Sequence, residues 1–255
     1  GGRVEEGPRR YGLHLWYDIR IADEVPVSRA RAEMVSLPGV DVVEPVYRVR
    51  LAEAHVVPDI SDRLYRPFSE GEARPEPAPF NDPELSRQWH YNNDGSIEGS
   101  VAGADINLFK AWREIGAGRP EVVVAVIDGG IQYDHPDLAA NMWTNEAEMN
   151  GTPGVDDDGN GYVDDIYGWN YYTDSGTITQ HFHGTHVAGT VAAVNNNGIG
   201  VCGVAGGTGV GDGVRLMSCQ NYDTDANGQE VGSVTEESFI YAADNGAVIA
   251  QCSWG

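Results

Sequence analysis

Three imidazoles fall within six residues of one stretch, His181-Phe-His-Gly-Thr-His-Val-Ala-Gly-Thr190. An imidazole takes up and returns a proton near neutral pH, its reference pKa being about 6.5, so this stretch is the first place to look for a general base. A carboxylate suited to orient it lies upstream in Glu121-Val-Val-Val-Ala-Val-Ile-Asp-Gly-Gly130, where an apolar run stops on Asp128 and two glycines. Histidine with an orienting carboxylate makes two members of a nucleophilic triad, in which the acid holds the tautomer and stabilises the imidazolium. We expect His183 as general base and Asp128 as its acid. Taken singly, Asp128 could serve only to cap a turn and His183 to cap a helix.

The elements that must position this pair can be read from the surrounding pattern. Residues 187–194 carry almost no bulk, which predicts a buried helix pressed against its neighbours with His183 at its N-terminus. Residues 122–127 are β-branched or small, as in a strand covered on both faces. Asp128 then stands at the carboxyl end of that strand, where open α/β sheets place their sites. A helix is expected over 104–115 ahead of it. Downstream, a strand over 214–220, a helix over 233–245 and a strand over 247–253 continue the alternation. The fold class expected is α/β, a parallel sheet with helices on both faces.

A second constellation is acidic. In Asp156-Asp-Asp-Gly-Asn-Gly-Tyr-Val-Asp-Asp165, Asp156, Asp158, Asn160 and the Tyr162 carbonyl follow the alternate spacing of an EF-hand loop, with Gly161 at the sharp turn. Asp164 falls on the position often used through water, and Asp165 is expected to replace the bidentate acid, because Tyr167 stands where the EF-hand has its glutamate. With no flanking helices evident, the reading is an isolated Ca²⁺ loop. A rival metal reading takes the histidines: His181, His183 and His186 resemble the His-x-His-x-Asp-His zinc motif of metallo-β-lactamase-like hydrolases, although Thr185 replaces its aspartate. In the Asp–His reading, His181 is expected in a loop and His186 packed against the sheet.

The Asp motif Val-Ile-Asp128-Gly-Gly-Ile followed by His135-Pro-Asp-Leu, and the His motif His183-Gly-Thr-His-Val-Ala-Gly-Thr, together resemble the subtilisin-like serine proteases in content and order. The resemblance runs from about Asn81 to Gly255. It implies peptide-bond hydrolysis through an acyl-enzyme, by an Asp-His-Ser triad. The family's Gly-Thr-Ser-Met-Ala-like motif and its later oxyanion asparagine do not occur in these 255 residues. The chain is therefore expected to be the N-terminal part of such a domain, inactive alone and completed by the C-terminal half as a second chain. A pseudoprotease or calcium-stabilised binding module is the alternative from another class.

The resemblance implies further sites. Asn195-Asn-Asn-Gly-Ile-Gly-Val201 looks like the family's calcium loop, whose ligands map onto the carbonyls of Asn195, Ile199 and Val201, the Asn197 side chain, Asp137 and Gln88. Ser253, Trp254 and Gly255 resemble the Ser-Leu-Gly strand that pairs with substrate backbone and walls the P1 pocket, with Trp254 in place of leucine. Leu37-Pro-Gly-Val-Asp-Val-Val-Glu-Pro resembles the second half of the family's propeptide, a folding chaperone and inhibitor. The implied partners are polypeptide substrates and the chain's own propeptide.

Charge and composition fit this division. Residues 1–80 carry 11 basic and 14 acidic side chains, whereas residues 81–255 carry 5 and 25. Such a field repels nucleic acid and draws cations. From His55 to Pro83 inclusive there are six prolines, the composition of an extended linker. The domains expected are a partial propeptide-like α+β unit over 1–55, built from strands at 11–21 and 40–51 around a helix at 27–37, a linker over 56–80, and the incomplete catalytic domain over 81–255. Cys202, Cys219 and Cys252 are widely spaced in apolar contexts and are read as buried thiols. No apolar run is long enough to span a membrane. From the resemblance, a secreted, periplasmic or cell-surface location is expected.

Overall fold

The computed structural model describes residues 19–22, 25–43 and 77–254. Helix α1, Val27–Met34, lies in the expected place. Most of the two strands expected beside it, and most of the linker, lie outside the described residues.

From residue 77 onwards the elements follow as α2 (Leu108–Glu114), β1 (Val123–Gly129), α3 (Glu146–Met149), β2 (Gly168–Asn170), α4 (Phe182–Ala192), β3 (Arg215–Thr224), β4 (Glu230–Gly232), α5 (Glu236–Asp244) and β5 (Ala247–Gln251), with short 3₁₀ turns at Leu85–Arg87 and Ala139–Asn141. The strands form one sheet in the order β2-β3-β1-β5, all parallel. Strand β4 departs from that pattern and pairs antiparallel with the outer part of β3.

Alternation along β1 shows why the sheet is covered twice. Val124 and Val126 pack with Val187, Ala188 and Ala192 of α4. Ala125 and Ile127 point the other way, to Tyr241 and Ala242 of α5. Fully burying one such valine or isoleucine contributes about 1.5–3 kcal/mol, so the continuous apolar run of β1 suits a strand with no wet face. A third cluster, with Leu85, Tyr91, Phe109 and Trp112, holds the segment before β1 and reaches Cys202.

Helix α4 lies so close to β1 that a methyl group on Gly184 would clash with the Gly129 carbonyl oxygen. The small residues of this helix are the condition of that approach. Strand β3 runs four residues beyond the expected end at Gln220, since Tyr222, Asp223 and Thr224 pair with β4 without needing a double apolar cover. Strand β5 is an edge of the sheet, with Val248 70% and Ile249 50% exposed. Cys202 and Cys219 are buried free thiols, as expected, but Cys252 is exposed, because it follows the last residue of β5.

Candidate active site

The carboxyl ends of β1 and β3 and the N-terminus of α4 meet at one point. Asp128, near the end of β1, is fully buried. Its Oδ1 accepts the Gly129 N–H at 2.7 Å and lies 2.7 Å from Nδ1 of His183, which sits in the first turn of α4 and is itself buried. Burial pushes the Asp128 carboxyl above its ordinary value, opposed by the bond to His183, the Gly129 N–H and the charges of His183 and His181. A carboxylate held on Nδ1 leaves Nε2 as the ring's proton-transferring nitrogen, the arrangement a general base requires.

His181 lies just outside the helix, at the end of the preceding loop. It is the buried N-cap of α4, and its Nδ1 accepts the His183 N–H at 3.3 Å. That bond fixes the tautomer, so the proton sits on Nε2 and is directed at Thr224 Oγ1, 3.0 Å away. Burial lowers its pKa, keeping the ring neutral. His186 does not pack against the sheet. It is exposed, because the sheet-facing side of α4 is taken by Val187 and Ala188. The three imidazoles thus have three different surroundings, and the zinc reading finds no convergent ligand set. Among the described residues, the group of metal-ligating side chains that does converge is Glu148, Asp156 and Asp158.

In that group, one oxygen from each carboxylate lies within 4.8 Å of the others, a hard oxygen donor set. Glu148 was not legible in the loop spacing; it comes from α3. Its two oxygens accept the N–H groups of Asp157 and Asp164 at 2.6 and 2.8 Å, which folds the loop over the helix. Asn160 bonds Asp158 and Asp165, and its Oδ1 accepts the Tyr162 N–H. The two other acids sit otherwise than the EF-hand spacing implies. Asp164 turns to the Gly154 N–H. Asp165 is fully buried, accepts the Tyr241 hydroxyl at 2.6 Å and an Asn145 N–H at 2.8 Å, and burial raises its carboxyl. It anchors the loop to α5.

The expected second loop gathers around Asp137. Its Oδ1 accepts from the Asn197 side chain at 2.7 Å and its Oδ2 from the Val201 N–H at 3.0 Å. Asn195 is buried beside this loop, with its Oδ1 on the Gly203 N–H, and the N–H of Ile199 is tied to Asn197 Oδ1. Gln88 spends both side-chain groups on the Cys202 backbone, at 2.8 Å each. The neighbour not foreseen is Asp82, buried, with Oδ2 on the Asn196 N–H at 2.7 Å. Asp82 and Asp137 repel each other, and burial first, then that charge, pushes Asp137 up. A pair of buried acids is the chemistry of a cation site.

Of the strand expected to meet substrate, Gly255 lies outside the described residues. Ser253 is half-buried, its hydroxyl accepting from Gln251 at 2.7 Å. The Trp254 ring turns inward against the α5-side core, and its indole N–H donates to the Ile127 carbonyl at 2.7 Å. That ring therefore braces the strand end that carries Asp128.

The family model described as the subtilase family matches residues 119–255. The chain is 45% identical over 147 residues to subtilisin-like protease 1 of Plasmodium vivax, a match spanning 56% of this chain and 20% of that protein. It is 35% identical over 175 residues to neuroendocrine convertase 2 of Bos taurus, spanning 69% and 23%. Among solved structures it resembles fervidolysin from Fervidobacterium pennivorans, a keratinolytic enzyme related to subtilisin. The TM-score there is 0.50, with 20% identity over 99% of this chain and 34% of that one. The chain thus spans about a fifth to a third of the length of these proteins. The doubly covered parallel sheet, the Asp–His pair at its carboxyl end and the match over more than half its length agree, and the chain belongs to the subtilase family.

Proposed function

We propose that residues 81–255 supply the acid and base of a serine endopeptidase, and that residues outside 1–255 supply its serine and oxyanion donor. The observation that carries this reading is the 2.7 Å contact between Asp128 Oδ1 and His183 Nδ1 at the carboxyl end of a buried strand. His183 takes the proton of the attacking serine through Nε2 and returns it to the leaving amine. Asp128 holds the tautomer and stabilises the imidazolium without itself gaining the proton. His181 and Thr224 fix the start of the helix on which the base rides. The backbone of Ser253, Trp254 and Gly255 pairs with polypeptide substrate as an added strand.

Two Ca²⁺ ions complete the reading as structural partners. Glu148, Asp156 and Asp158, with Asn160 and the Tyr162 carbonyl, hold one. Asp82, Asp137, Asn197 and the carbonyls of Asn195, Ile199 and Val201 hold the other. Bound calcium would supply charge neutralisation to the clustered carboxylates and no step of the hydrolysis. Residues 1–55 act as the propeptide and 56–80 as the linker in which processing occurs, in a protein that works outside the cytoplasm, secreted, periplasmic or on the cell surface. No helix among the described residues is long and apolar enough to cross a membrane.

The test is hydrolysis of a fluorogenic peptide library by the full-length protein, by residues 1–255 alone, and by residues 1–255 mixed with the remaining part. Turnover is expected in the first and third samples and absent in the second. His183→Ala in the full-length protein should cost at least ~10³ in kcat, since removing one member of a triad leaves only what binding and the oxyanion hole supply. Full activity in His183→Ala, or an inactive full-length protein that still folds and binds peptides, would favour the binding-module alternative.

A further inference from the structure

His181 makes more bonds than a helix cap requires. Its backbone N–H donates to the Gly130 carbonyl at 2.8 Å, and its own carbonyl accepts the Thr185 N–H at 3.0 Å. Its ring nitrogens meet the His183 N–H at 3.3 Å and Thr224 Oγ1 at 3.0 Å. The ring lies so close to Gly129 that a methyl group added there would strike it. One buried residue thus ties the chain just past β1, the start of α4 and the end of β3.

A serine or an asparagine could cap this helix equally well. An imidazole differs from both in one respect, because the nitrogen that accepts the hydrogen bond can itself take a proton near physiological pH. With Nδ1 accepting and Nε2 donating, the neutral ring has used both nitrogens. A second proton can go only to Nδ1. There it would set a donor against the His183 N–H, at the positive end of the α4 dipole. His183 is the second residue of that helix, and its Nδ1 lies 2.7 Å from Asp128 Oδ1. Slack at the cap therefore reaches the base directly.

The charged groups around the ring act in both directions. Burial opposes the extra proton most, and His183 of α4 opposes it too, whereas Asp128 of β1, Glu230 of β4 and Asp223 of β3 favour it. The balance keeps the ring neutral until the pH falls below the ordinary histidine range, and a charged His183 holds the proton off longer.

We propose that His181 is a positioning residue for His183 that works only as the neutral ring, so that a proton on His181 Nδ1 releases the start of α4 and withdraws the base. This rests on the Asp–His reading above. The protein then has two acid-side controls on turnover, the protonation of the base itself and, at lower pH, the protonation of the residue that holds it in place.

The test has a spectroscopic arm and a kinetic arm, both on the full-length protein. In uniformly ¹⁵N-labelled protein carrying His183→Ala, the His181 Nδ1 resonance should show an unprotonated nitrogen at neutral pH. On acidification it should gain its proton with a midpoint below about 6.5, and the backbone amide at position 183 should shift with that same midpoint. A proton on Nδ1 in the neutral ring, or an amide at position 183 that does not follow the titration, overturns the proposal. In the kinetic arm, kcat/KM of the unaltered protein should fall about tenfold per pH unit at first and about a hundredfold per unit below the second midpoint. In His181→Asn, which can cap without titrating, the profile normalised to its own plateau should keep the tenfold limb and lose the steeper one. Return of each sample to neutral pH separates reversible loss from unfolding. A steeper limb that persists in His181→Asn overturns the proposal, and should that variant fail to fold, the spectroscopic arm decides alone. Failure of the protease reading is a separate result, seen as peptide hydrolysis that survives His183→Ala.

Discussion

In the proposed reading, Asp128 serves the chemistry at a cost to the fold. In the unfolded chain its carboxyl titrates near the ordinary 3.8, whereas burial raises it in the folded protein. The folded state therefore holds this proton to higher pH, and the stability it contributes is fully present below the ordinary value and lost as pH rises through the raised one. At neutral pH the anion is a net burden, only partly relieved by His183 and the Gly129 N–H. Asp128→Asn should then do two opposite things. In the full-length protein it should lower turnover by about 10⁴, as an amide holds the wrong tautomer. At pH 7 it should raise the melting temperature by a few degrees, about 1 kcal/mol, and the gain should disappear as pH falls below about 4, where the native acid is itself neutral. Calorimetry across that window checks both the sign and the pH dependence. A melting temperature lowered at pH 7 would mean that the His183 bond outweighs burial.

Between elements, the critical contact is where the start of α4 meets the end of β1. Gly184 has no room for a side chain against the Gly129 carbonyl, so Gly184→Ala must push the helix out or bend the strand, and overpacking of this kind costs about 1–3 kcal/mol. Because the displaced residue neighbours His183, turnover should fall along with the urea midpoint, whereas Gly189→Ala, where nothing lies within 4 Å of the added carbon, should leave both nearly unchanged. The same contact explains what was legible in the sequence. Strands β1 and β3 and helices α4 and α5 announce themselves because burial on both faces demands long apolar or small-residue runs. Strand β2, helix α3 and strand β4 have three, four and three residues, too few for any period to show. Asp128 and His183 were legible because each closes or opens a patterned element. Glu148 and Asp82 were not, since their roles come from tertiary approach. The EF-hand spacing did not show the hydrogen bonds of Asp164 and Asp165, because it supposes an exiting helix that supplies the last acid. Here Glu148, on the helix before the loop, is the acid that joins Asp156 and Asp158, and Asp165 binds Tyr241.

Over the whole molecule, acidity predicts a dependence on cations. Residues 81–255 carry 25 acidic against 5 basic side chains, and two groups of these acids are drawn together, Glu148 with Asp156 and Asp158, and Asp82 with Asp137. Bringing like charges together in or near low dielectric disfavours folding unless a counter-ion joins them. A cation bound only by the folded state adds RT ln(1 + [L]/Kd), about 2.7 kcal/mol at a hundredfold excess over Kd. Calcium at millimolar concentration should therefore raise the melting temperature of the full-length protein, and a chelator should lower it, with magnesium a poor substitute because it gives up its waters reluctantly. Single variants separate the two groups. Glu148→Gln should remove part of the calcium response and loosen the loop over 156–165, leaving the contact of residues 81–88 with the core intact. Asp82→Asn should remove the other part and free that N-terminal segment, read as new protease cleavage near residue 88. Each of these carboxylates also accepts backbone N–H groups, so each variant should lose some stability in chelator as well. The calcium-dependent part is the difference between the two conditions. A melting temperature that calcium leaves unmoved in the unaltered protein would mean that the acids are held apart by their hydrogen bonds alone, and that the negative field serves only solubility.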